Sequence, residues 1–458
     1  MTTATLAPPD LAPVTTTQCL TATDRTMLAV DRAVRGLGGP GFETQMLVWL
    51  AGRIDVAGLR GRLARFSVRH PVAAARLVEA GSGPRWRYRP GACCPLVETW
   101  LEAAEPAAVL DHAARLLSNP PPPEETDPIR FHLLHRPDGR DVLILQYNHA
   151  LMDNTAAVPL LRRLDRPDHG DADGEDGRRG EGGNVIRDYL RRFDRERRRQ
   201  ALHGCSRLWR QFARGGVVQL GRPGAPEPGP GSLRIAVRRL GQPETSALRE
   251  RLLQTCGFPN LSMALLGSAF RALARSAPPR PGAANFMAGI GVELGLRRGR
   301  GPLFGNPVSV VPIRARPGDL DDRDELVRRL GRQLREHLQA GMDLGLLQLL
   351  PWLNRRPADA RWLINGGLRQ GFSLWYAYFG SLDSVGERFG GAAIEDVCFT
   401  GPTWPPMGLT LLVNQFRGRL LFQATYLPES VPEPVVDTFL DQLLADLVDG
   451  GGGPWPSR

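Results

Sequence analysis

Apolar residues recur along this chain with two spacings, and segments of one spacing alternate with segments of the other. Apolar residues three or four positions apart predict helices, and short apolar or alternating runs predict strands. The predicted helices span residues 24–34, 55–68, 103–117, 184–213, 244–256, 260–275, 321–340, much of 344–369, and 432–447. The predicted strands span residues 42–50, 85–88, 96–100, 129–134, 141–147, 233–240, 285–294, 308–314, 372–379, 393–399, 408–415 and 419–426. Because strands and helices alternate in both halves, we predict a mixed α/β fold.

The amino-acid composition indicates that the chain forms two lobes. A chain of 458 residues that is 42% hydrophobic is too long for one ordinary core. Residues 165–183 are rich in Asp, Gly and Arg, which predicts a flexible linker between an N-terminal lobe at 20–164 and a C-terminal lobe at 184–450. The Thr- and Pro-rich residues 1–19 predict a disordered N-terminus, and the Gly-rich residues 451–458 predict a tail.

The charge of the chain narrows its chemistry. The net charge is +10, and all 58 basic residues are Arg because the sequence contains no Lys. A phosphate-loop lysine, a pyridoxal Schiff base and a lysine nucleophile are therefore excluded. The basic balance favours an anionic partner such as a phosphopantetheine arm or an acidic carrier protein. The densest basic stretch, residues 187–199, is interrupted by acids at helical spacing, which is typical of a solvated helix face rather than a nucleic-acid site.

Cysteine usage and hydropathy exclude further classes of protein. The six cysteines form no CxxC pair and no His-rich spacing, so we expect neither a disulfide framework nor a metal site. No apolar run approaches the roughly 20 residues that span a bilayer. The first residues lack the basic flank and the apolar core of a signal peptide. We therefore expect a cytoplasmic protein without a membrane span.

One histidine is placed where a general base could be held rigidly. His149 ends the apolar run DVLILQYNH, and Asp153 follows four residues later, where an amphipathic helical segment begins. A histidine at the end of a buried strand is well fixed in position, which suits proton transfer. The second HxxxD match, His169 to Asp173, lies in the predicted linker, where nothing would fix its geometry.

The segment YNHALMDN resembles the HHxxxDG or HxxxDG active-site motif of the condensation-domain-like, CoA-dependent acyltransferase superfamily. Further segments are similar to others of that superfamily and occur in the same order. They are RHP at 69–71, DPIRFHLL before the motif strand, LFGNPVSVVPIRA at 303–315 and FSLWYAYFGSLDSV at 372–385. The resemblance covers about residues 20 to 450.

The resemblance implies an α/β fold of two chloramphenicol-acetyltransferase-like lobes, arranged as a V-shaped pseudo-dimer with a substrate tunnel at the interface. It further implies that His149 is the catalytic base and that Asp153 orders the motif loop through an ion pair with Arg314. Asp153 could instead be a helix N-cap or first-turn acid. The resemblance also implies that no cofactor is bound permanently and that acyl-CoA or a phosphopantetheine thioester is the co-substrate. We expect a monomer that acts on a small alcohol or amine acceptor.

Two residues depart from the superfamily motif. Asn148 replaces the first His of many members, and Asn154 replaces a Gly that nearly all members have. Asparagine tolerates positive φ but adds bulk beside the base. The leading hypothesis is therefore an acyltransferase, ester-forming or amide-forming, and the alternative is a non-catalytic docking domain that recruits a carrier protein or a tailoring enzyme.

Six residues are softer candidates for the tunnel wall. They are Asn306, Ser309, Tyr376, Tyr378, Ser381 and Trp404. Turn formation by 305–307 is an equal explanation for Asn306. Core packing is the alternative for each aromatic residue.

Overall fold

The structure is a computed structural model of the chain. It describes residues 17–81, 83–165, 182–212, 216–221, 232–257, 260–277, 283–294, 303–353 and 371–449. The predicted linker at 165–183 therefore lies almost entirely outside the described residues, as do residues 1–16, the tail at 451–458 and the helical pattern of 354–369. Within the described ranges the architecture is mixed α/β, as predicted.

The N-terminal lobe is built on a six-stranded sheet in the order β13-β14-β2-β7-β6-β5. Its strands are β2 (Glu43–Leu50), β5 (Leu96–Trp100), β6 (Ile129–His135), β7 (Asp141–Asn148), β13 (Arg388–Phe389) and β14 (Ala392–Thr400). Its helices are α1 (Ala22–Gly36), α2 (Val56–Arg69), α3 (Pro106–Ser118) and α4 (Ala157–Asp165). Every residue of β2 and β7 is buried, which is expected of central strands covered on both faces.

A small three-stranded sheet accompanies this lobe, in the order β1-β4-β3. Its strands are β1 (Thr17–Cys19), β3 (Arg76–Val78) and β4 (Arg85–Arg87). The predicted disorder of residues 1–19 is therefore wrong for residues 17–19, because their backbone pairs with β4.

The C-terminal lobe contains a four-stranded sheet in the order β12-β15-β16-β9 and a three-stranded sheet in the order β11-β10-β8. The strands are β8 (Gly216–Val217), β9 (Arg234–Leu240), β10 (Ala283–Glu293), β11 (Val308–Ala315), β12 (Trp375–Ser381), β15 (Leu409–Phe416) and β16 (Arg419–Tyr426). The helices are α5 (Gly182–Arg191), α6 (Arg195–Phe212), α7 (Gln242–Cys256), α8 (Leu261–Ser276), α9 (Arg323–Gln339), α10 (Met342–Leu353) and α11 (Glu433–Asp449).

The two lobes exchange strands, so the predicted boundary does not separate the two sheets. β14 pairs antiparallel with β2, and β13 pairs with β14, although both strands belong to the last quarter of the chain. The N-terminal lobe is therefore not confined to residues 20–164. Periodicity could not reveal this exchange, because it reports which residues form a strand and not which strand is the partner.

Capping residues explain where two helices begin. The hydroxyl of Thr21 accepts a hydrogen bond from the backbone of Asp24 and is the N-cap of α1. The single helix predicted at 184–213 is instead two helices. The carboxylate of Asp194 accepts from the backbone N–H of Arg197 and starts α6 as a new helix.

The three largest clusters of buried apolar residues in the described ranges join the elements. One fills the N-terminal lobe, and the second fills the C-terminal lobe. The third is smaller and combines residues of α1, Phe42, Met287 of β10, Phe372 and Trp404. It lies where the two lobes meet. None of the helices in the described part of the chain combines the length and the apolarity that crossing a bilayer requires.

Candidate active site

His149 follows the last residue of β7 at the junction of the lobes. Its backbone N–H donates to the carbonyl of Phe42, which continues the ladder between β7 and β2 by one step. The ring of His149 stacks on the ring of Phe42, with centroids 4.9 Å apart and planes inclined by 21°. The side chain is only partly buried. Strand pairing, which the sequence predicts, and ring stacking, which it does not, together fix its position.

Asn306 connects His149 to the C-terminal lobe. The Nδ2 of Asn306 donates to the carbonyl oxygen of His149 at 2.8 Å, and its Oδ1 lies 3.0 Å from the His149 Nδ1. Nδ2 also donates to Oδ1 of Asp24 at 2.9 Å. Both partners of Nδ2 can only accept, so the amide orientation is determined. Oδ1 is consequently an acceptor, and Nδ1 of His149 must carry the proton.

This tautomer leaves Nε2 of His149 as the basic nitrogen. Burial lowers the pKa of His149 below its ordinary value, although the hydrogen bond to Asn306 and the charge of Asp24 oppose that effect. The imidazole is therefore neutral at pH 7 and can accept a proton at Nε2. The arrangement has the properties that a general base requires.

Asp24 is a site residue that sequence reasoning missed. Its carboxylate accepts three N–H bonds, two from the backbone and side chain of Asn306 at 2.9 Å and one from the backbone of Thr21 at 3.0 Å. Burial raises the pKa of Asp24, and these hydrogen bonds oppose the rise. The sequence signal for Asp24 is its place in the capping box of α1, but that signal explains only the bond to Thr21.

The approach of Asn306 to the motif requires a glycine. Gly305 has φ +104° and donates its backbone N–H to the carbonyl of Leu151 at 2.6 Å. Met152 forms an isolated parallel bridge with Gly305. A residue with Cβ would be strained at this φ, so glycine allows the two segments to meet.

Asp153 is held within its own turn. Its carboxylate accepts from the hydroxyl of Thr155 at 2.7 Å and from the backbone N–H of Ala156 at 3.2 Å. It is the N-cap of a short 3-10 helix before α4, as the alternative interpretation of this residue had it. Burial raises the pKa of Asp153 to about 6, and the nearby charge of Asp24 adds to the rise.

The structure does not bring Arg314 to Asp153, which corrects the predicted ion pair. Arg314 lies near the end of β11, where it is paired with Met287 of β10. Its backbone N–H donates to Gln333, and the charges that perturb its pKa are Arg316, Asp319 and Arg329. The partners of the Asp153 carboxylate are local instead.

The two asparagines of the motif are incorporated without backbone strain. Arg417 is the one described residue other than glycine with positive φ, so Asn154 does not need the conformation for which glycine is used. The Asn154 Oδ1 accepts from the hydroxyl of Tyr147. Asn148 is 1% exposed, and its Oδ1 accepts from the backbone N–H of Ala150 at 2.8 Å. Its Nδ2 is buried with no partner among the described residues.

The softer candidates divide into two groups. Trp404 joins the site, because it is buried and contacts both Phe42 and Trp375. Tyr376 and Tyr378 point the other way, into the core of the C-terminal lobe. Side chains alternate along a strand, so Trp375 rather than its neighbour Tyr376 faces the site.

The two serines are not placed beside His149 by any contact. The hydroxyl of Ser309 donates to the carbonyl of Asp343, which ties β11 to α10. Ser381 is exposed and bonds to Asp383 in the turn after β12. No group of three or more His, Cys, Asp or Glu side chains suited to a metal ion occurs in the described ranges.

Comparisons with solved structures agree with the predicted fold. The first condensation domain of the CDA synthetase superposes with a TM-score of 0.72 at 15% identity, covering 96% of this chain and 98% of that chain. TRI3 trichothecene 15-O-acetyltransferase from Fusarium sporotrichioides gives a TM-score of 0.67 at 14% identity, with 94% of each chain covered. The starter condensation domain of rhizomide synthetase RzmA in complex with C8-CoA gives 0.67 at 15% identity, with 96% of each chain covered.

These likenesses confirm the predicted resemblance at the level of the fold. No family model matches the chain, and no curated protein matches it in sequence.

Proposed function

We propose that this chain is an acyltransferase that moves an acyl group from a thioester of CoA or of a carrier protein onto an alcohol or amine, with His149 as the general base. We further propose a role in natural-product or lipid biosynthesis. The observation that carries the proposal is the tautomer of His149, which Asn306 fixes with Nδ1 protonated. A condensation-domain fold with a neutral, oriented histidine at the lobe junction suits this chemistry.

The proposed reaction uses one proton relay. Nε2 of His149 takes the proton from the acceptor hydroxyl or amine while that group attacks the thioester carbonyl carbon. The tetrahedral intermediate collapses with cleavage of the carbon–sulfur bond. The departing thiolate takes the proton from the imidazolium, which restores the neutral base. The products are an ester or amide and a free thiol.

The surrounding residues are proposed to position the base rather than to react. Phe42 stacks on the imidazole, and Asn306 holds Nδ1 and the backbone carbonyl. Asp153 is proposed to order the turn after His149 through Thr155 and Ala156. The RzmA relative was solved with C8-CoA, which supports trying medium-chain acyl-CoA among the donors.

The test is a transfer assay with mass-spectrometric detection. The purified chain is incubated with a panel of acyl-CoAs and acyl-carrier thioesters, each with a mixture of alcohols and amines. We expect a new ester or amide with the wild-type chain and its loss, by at least about 100-fold, in His149→Ala. Ser381→Ala is the matched control, because Ser381 is exposed and bonded within its own turn.

Two results would overturn this proposal. Full transfer by a folded His149→Ala variant would exclude histidine as the base. A folded wild-type chain that transfers nothing from the whole panel, and yet retains an acyl-carrier protein in a pull-down, would favour the docking function instead.

A further inference from the structure

A buried arginine in the helical layer of the C-terminal lobe lacks the partners that its charge requires. Arg323 is the first residue of α9, and its side chain is 3% exposed. All three nitrogens of its guanidinium are buried without a hydrogen-bond partner among the described residues. A guanidinium carries five N–H donors, and burying them unpaired is costly. Something beyond the described side chains is needed to satisfy them.

The nearest carboxylate is already occupied. Oδ2 of Asp446, on α11, lies 3.8 Å from Nε of Arg323, which is beyond hydrogen-bond distance. The same carboxylate accepts from Nε of Arg271 at 2.7 Å and from the hydroxyl of Ser268 at 2.7 Å. The Asp446 carboxylate therefore accepts its hydrogen bonds from α8, and the N–H donors of Arg323 have no acceptor in the described part of the chain.

Further arginines surround the same point. Nε of Arg251, on α7, is also buried without a partner among the described residues, while its two terminal nitrogens donate to carbonyls at the end of α11. Arg275 lies 4.0 Å from Asp446. Arg271, Arg275 and Arg323 thus lie within 4.0 Å of one buried carboxylate, and the positive charge of Arg251 acts on Arg323. Asp324 contributes a second, partly exposed negative charge. The cluster has an excess of positive charge in a poorly solvated place.

We propose that this arginine cluster, formed by Arg251, Arg271, Arg275 and Arg323, binds a small tetrahedral oxyanion of the phosphate or sulfate type. Guanidinium groups bind such oxyanions through paired N–H bonds, and an oxyanion offers the several acceptors that the unpaired nitrogens lack. The N-terminus of α9, a helix of 17 residues, adds a favourable dipole. Because Arg271 and Asp446 are almost fully buried, the proposed ligand is a small anion rather than a larger phosphorylated molecule.

The proposed anion site is independent of the acyl-transfer site. Its residues belong to α7, α8, α9 and α11, whereas His149, Asn306 and Asp24 lie on or beside other elements. The anion would join these four helices to one another and stabilise the C-terminal lobe. Failure of one proposal would therefore leave the other intact.

Thermal unfolding in inorganic phosphate tests the site. Sodium phosphate replaces sodium chloride at constant ionic strength and pH, and Tm is followed for the wild type, Arg323→Met and Arg332→Met. We expect saturating phosphate to raise Tm of the wild type by about 3 °C. Arg332→Met should keep this rise, because Arg332 lies on the same helix but is exposed and bonded to Glu325. Arg323→Met should lose it.

The order of stabilities in chloride gives a second readout. Without phosphate, Arg323→Met should melt at the same temperature as the wild type or higher, since it removes an unpaired buried charge. Equilibrium dialysis of the wild type against radiolabelled phosphate should show saturable binding of one ion per chain, and it needs no variant. A rise in Tm that is equal in Arg323→Met, or dialysis without saturable binding, would overturn the proposal.

Discussion

The two buried acids beside His149 have different surroundings. Asp24 accepts hydrogen bonds from a residue of the other lobe, and through Asn306 it is connected to the imidazole. Asp153 accepts only from Thr155 and Ala156, which follow it in the same turn. Both pKa values are raised by burial. The distance of an acid from the histidine along the sequence therefore does not decide its role. Asp24, 125 residues away, is connected to the base through Asn306, whereas Asp153, four residues away, caps its own turn.

Removing the Asn306 side chain, which connects Asp24 to His149, should have the largest effect on the reaction rate. Asn306→Ala removes the acceptor for the His149 Nδ1 proton and one of the three donors to Asp24, since the backbone N–H of residue 306 remains, so both the tautomer and the ring orientation are lost. We expect kcat to fall about 1000-fold, within the range that a positioned base contributes. Ser309→Ala is the control, because its hydroxyl bonds to Asp343 instead. A loss below tenfold would show that Asn306 does not set the tautomer.

Replacing Asp153 should change the free energy of unfolding more than the reaction rate. The unfolded carboxyl of Asp153 titrates near 3.8 and the folded one near 6, so folding favours the protonated form. Wild-type stability is therefore lost as the pH rises through that window, and the loss levels off about one pH unit above the folded pKa. Asp153→Asn removes this loss and should unfold with about 3 kcal/mol more free energy than the wild type at pH 8.

Urea unfolding at pH 4.5 and pH 8 measures this difference. Asparagine keeps an acceptor for Thr155 and Ala156, so the contrast isolates ionisation from the loss of the cap. A difference between variant and wild type that stays constant across the two pH values would contradict the assigned pKa.

The distant acid should change the pH profile of the reaction. Asp24→Asn removes a negative charge that favours the imidazolium, which lowers the pKa of His149 further below its ordinary value. We expect kcat/KM at pH 7 to fall about tenfold through weaker positioning, and the acidic limb of the profile to move to lower pH. Asp24→Glu should keep the limb in place. An unmoved limb in Asp24→Asn would mean that Asp24 acts only as a helix cap.

The smallest effect on activity is expected for Tyr376, which is in contact with neither Asp24 nor Asp153. Tyr376→Phe loses the hydrogen bond from its hydroxyl to the carbonyl of Ser262, which should cost about 1 kcal/mol of stability. Transfer activity should stay within twofold, because the ring lies in the core of the C-terminal lobe. A large change in KM would return Tyr376 to the substrate tunnel that the sequence predicted for it.

Local patterns predicted most elements of this fold and the position of His149. Strand β7 could be found because its apolar run is continuous, and the histidine follows it directly. The sequence named Tyr376 for the tunnel wall with core packing as the alternative, whereas its neighbour Trp375 contacts Phe42 and Trp404, because adjacent residues of a strand face opposite sides. Arg314 was chosen by resemblance, but the Asp153 carboxylate bonds within its own turn and is not among the charges that act on Arg314. Phe42 contacts His149 directly and Asp24 is connected to it through Asn306, and one sequence does not specify such contacts between distant segments.

The insertion of β14 beside β2 has a consequence for the order of folding during synthesis. Until residue 400 has left the ribosome, the edge of β2 that will pair with β14 has no partner strand, although every residue of β2 is buried in the finished fold. Such an edge can pair with other chains, which is a route to aggregation. The N-terminal lobe therefore cannot complete its sheet until most of the chain has been made, and a chain truncated before residue 392 should precipitate rather than accumulate as a folded half.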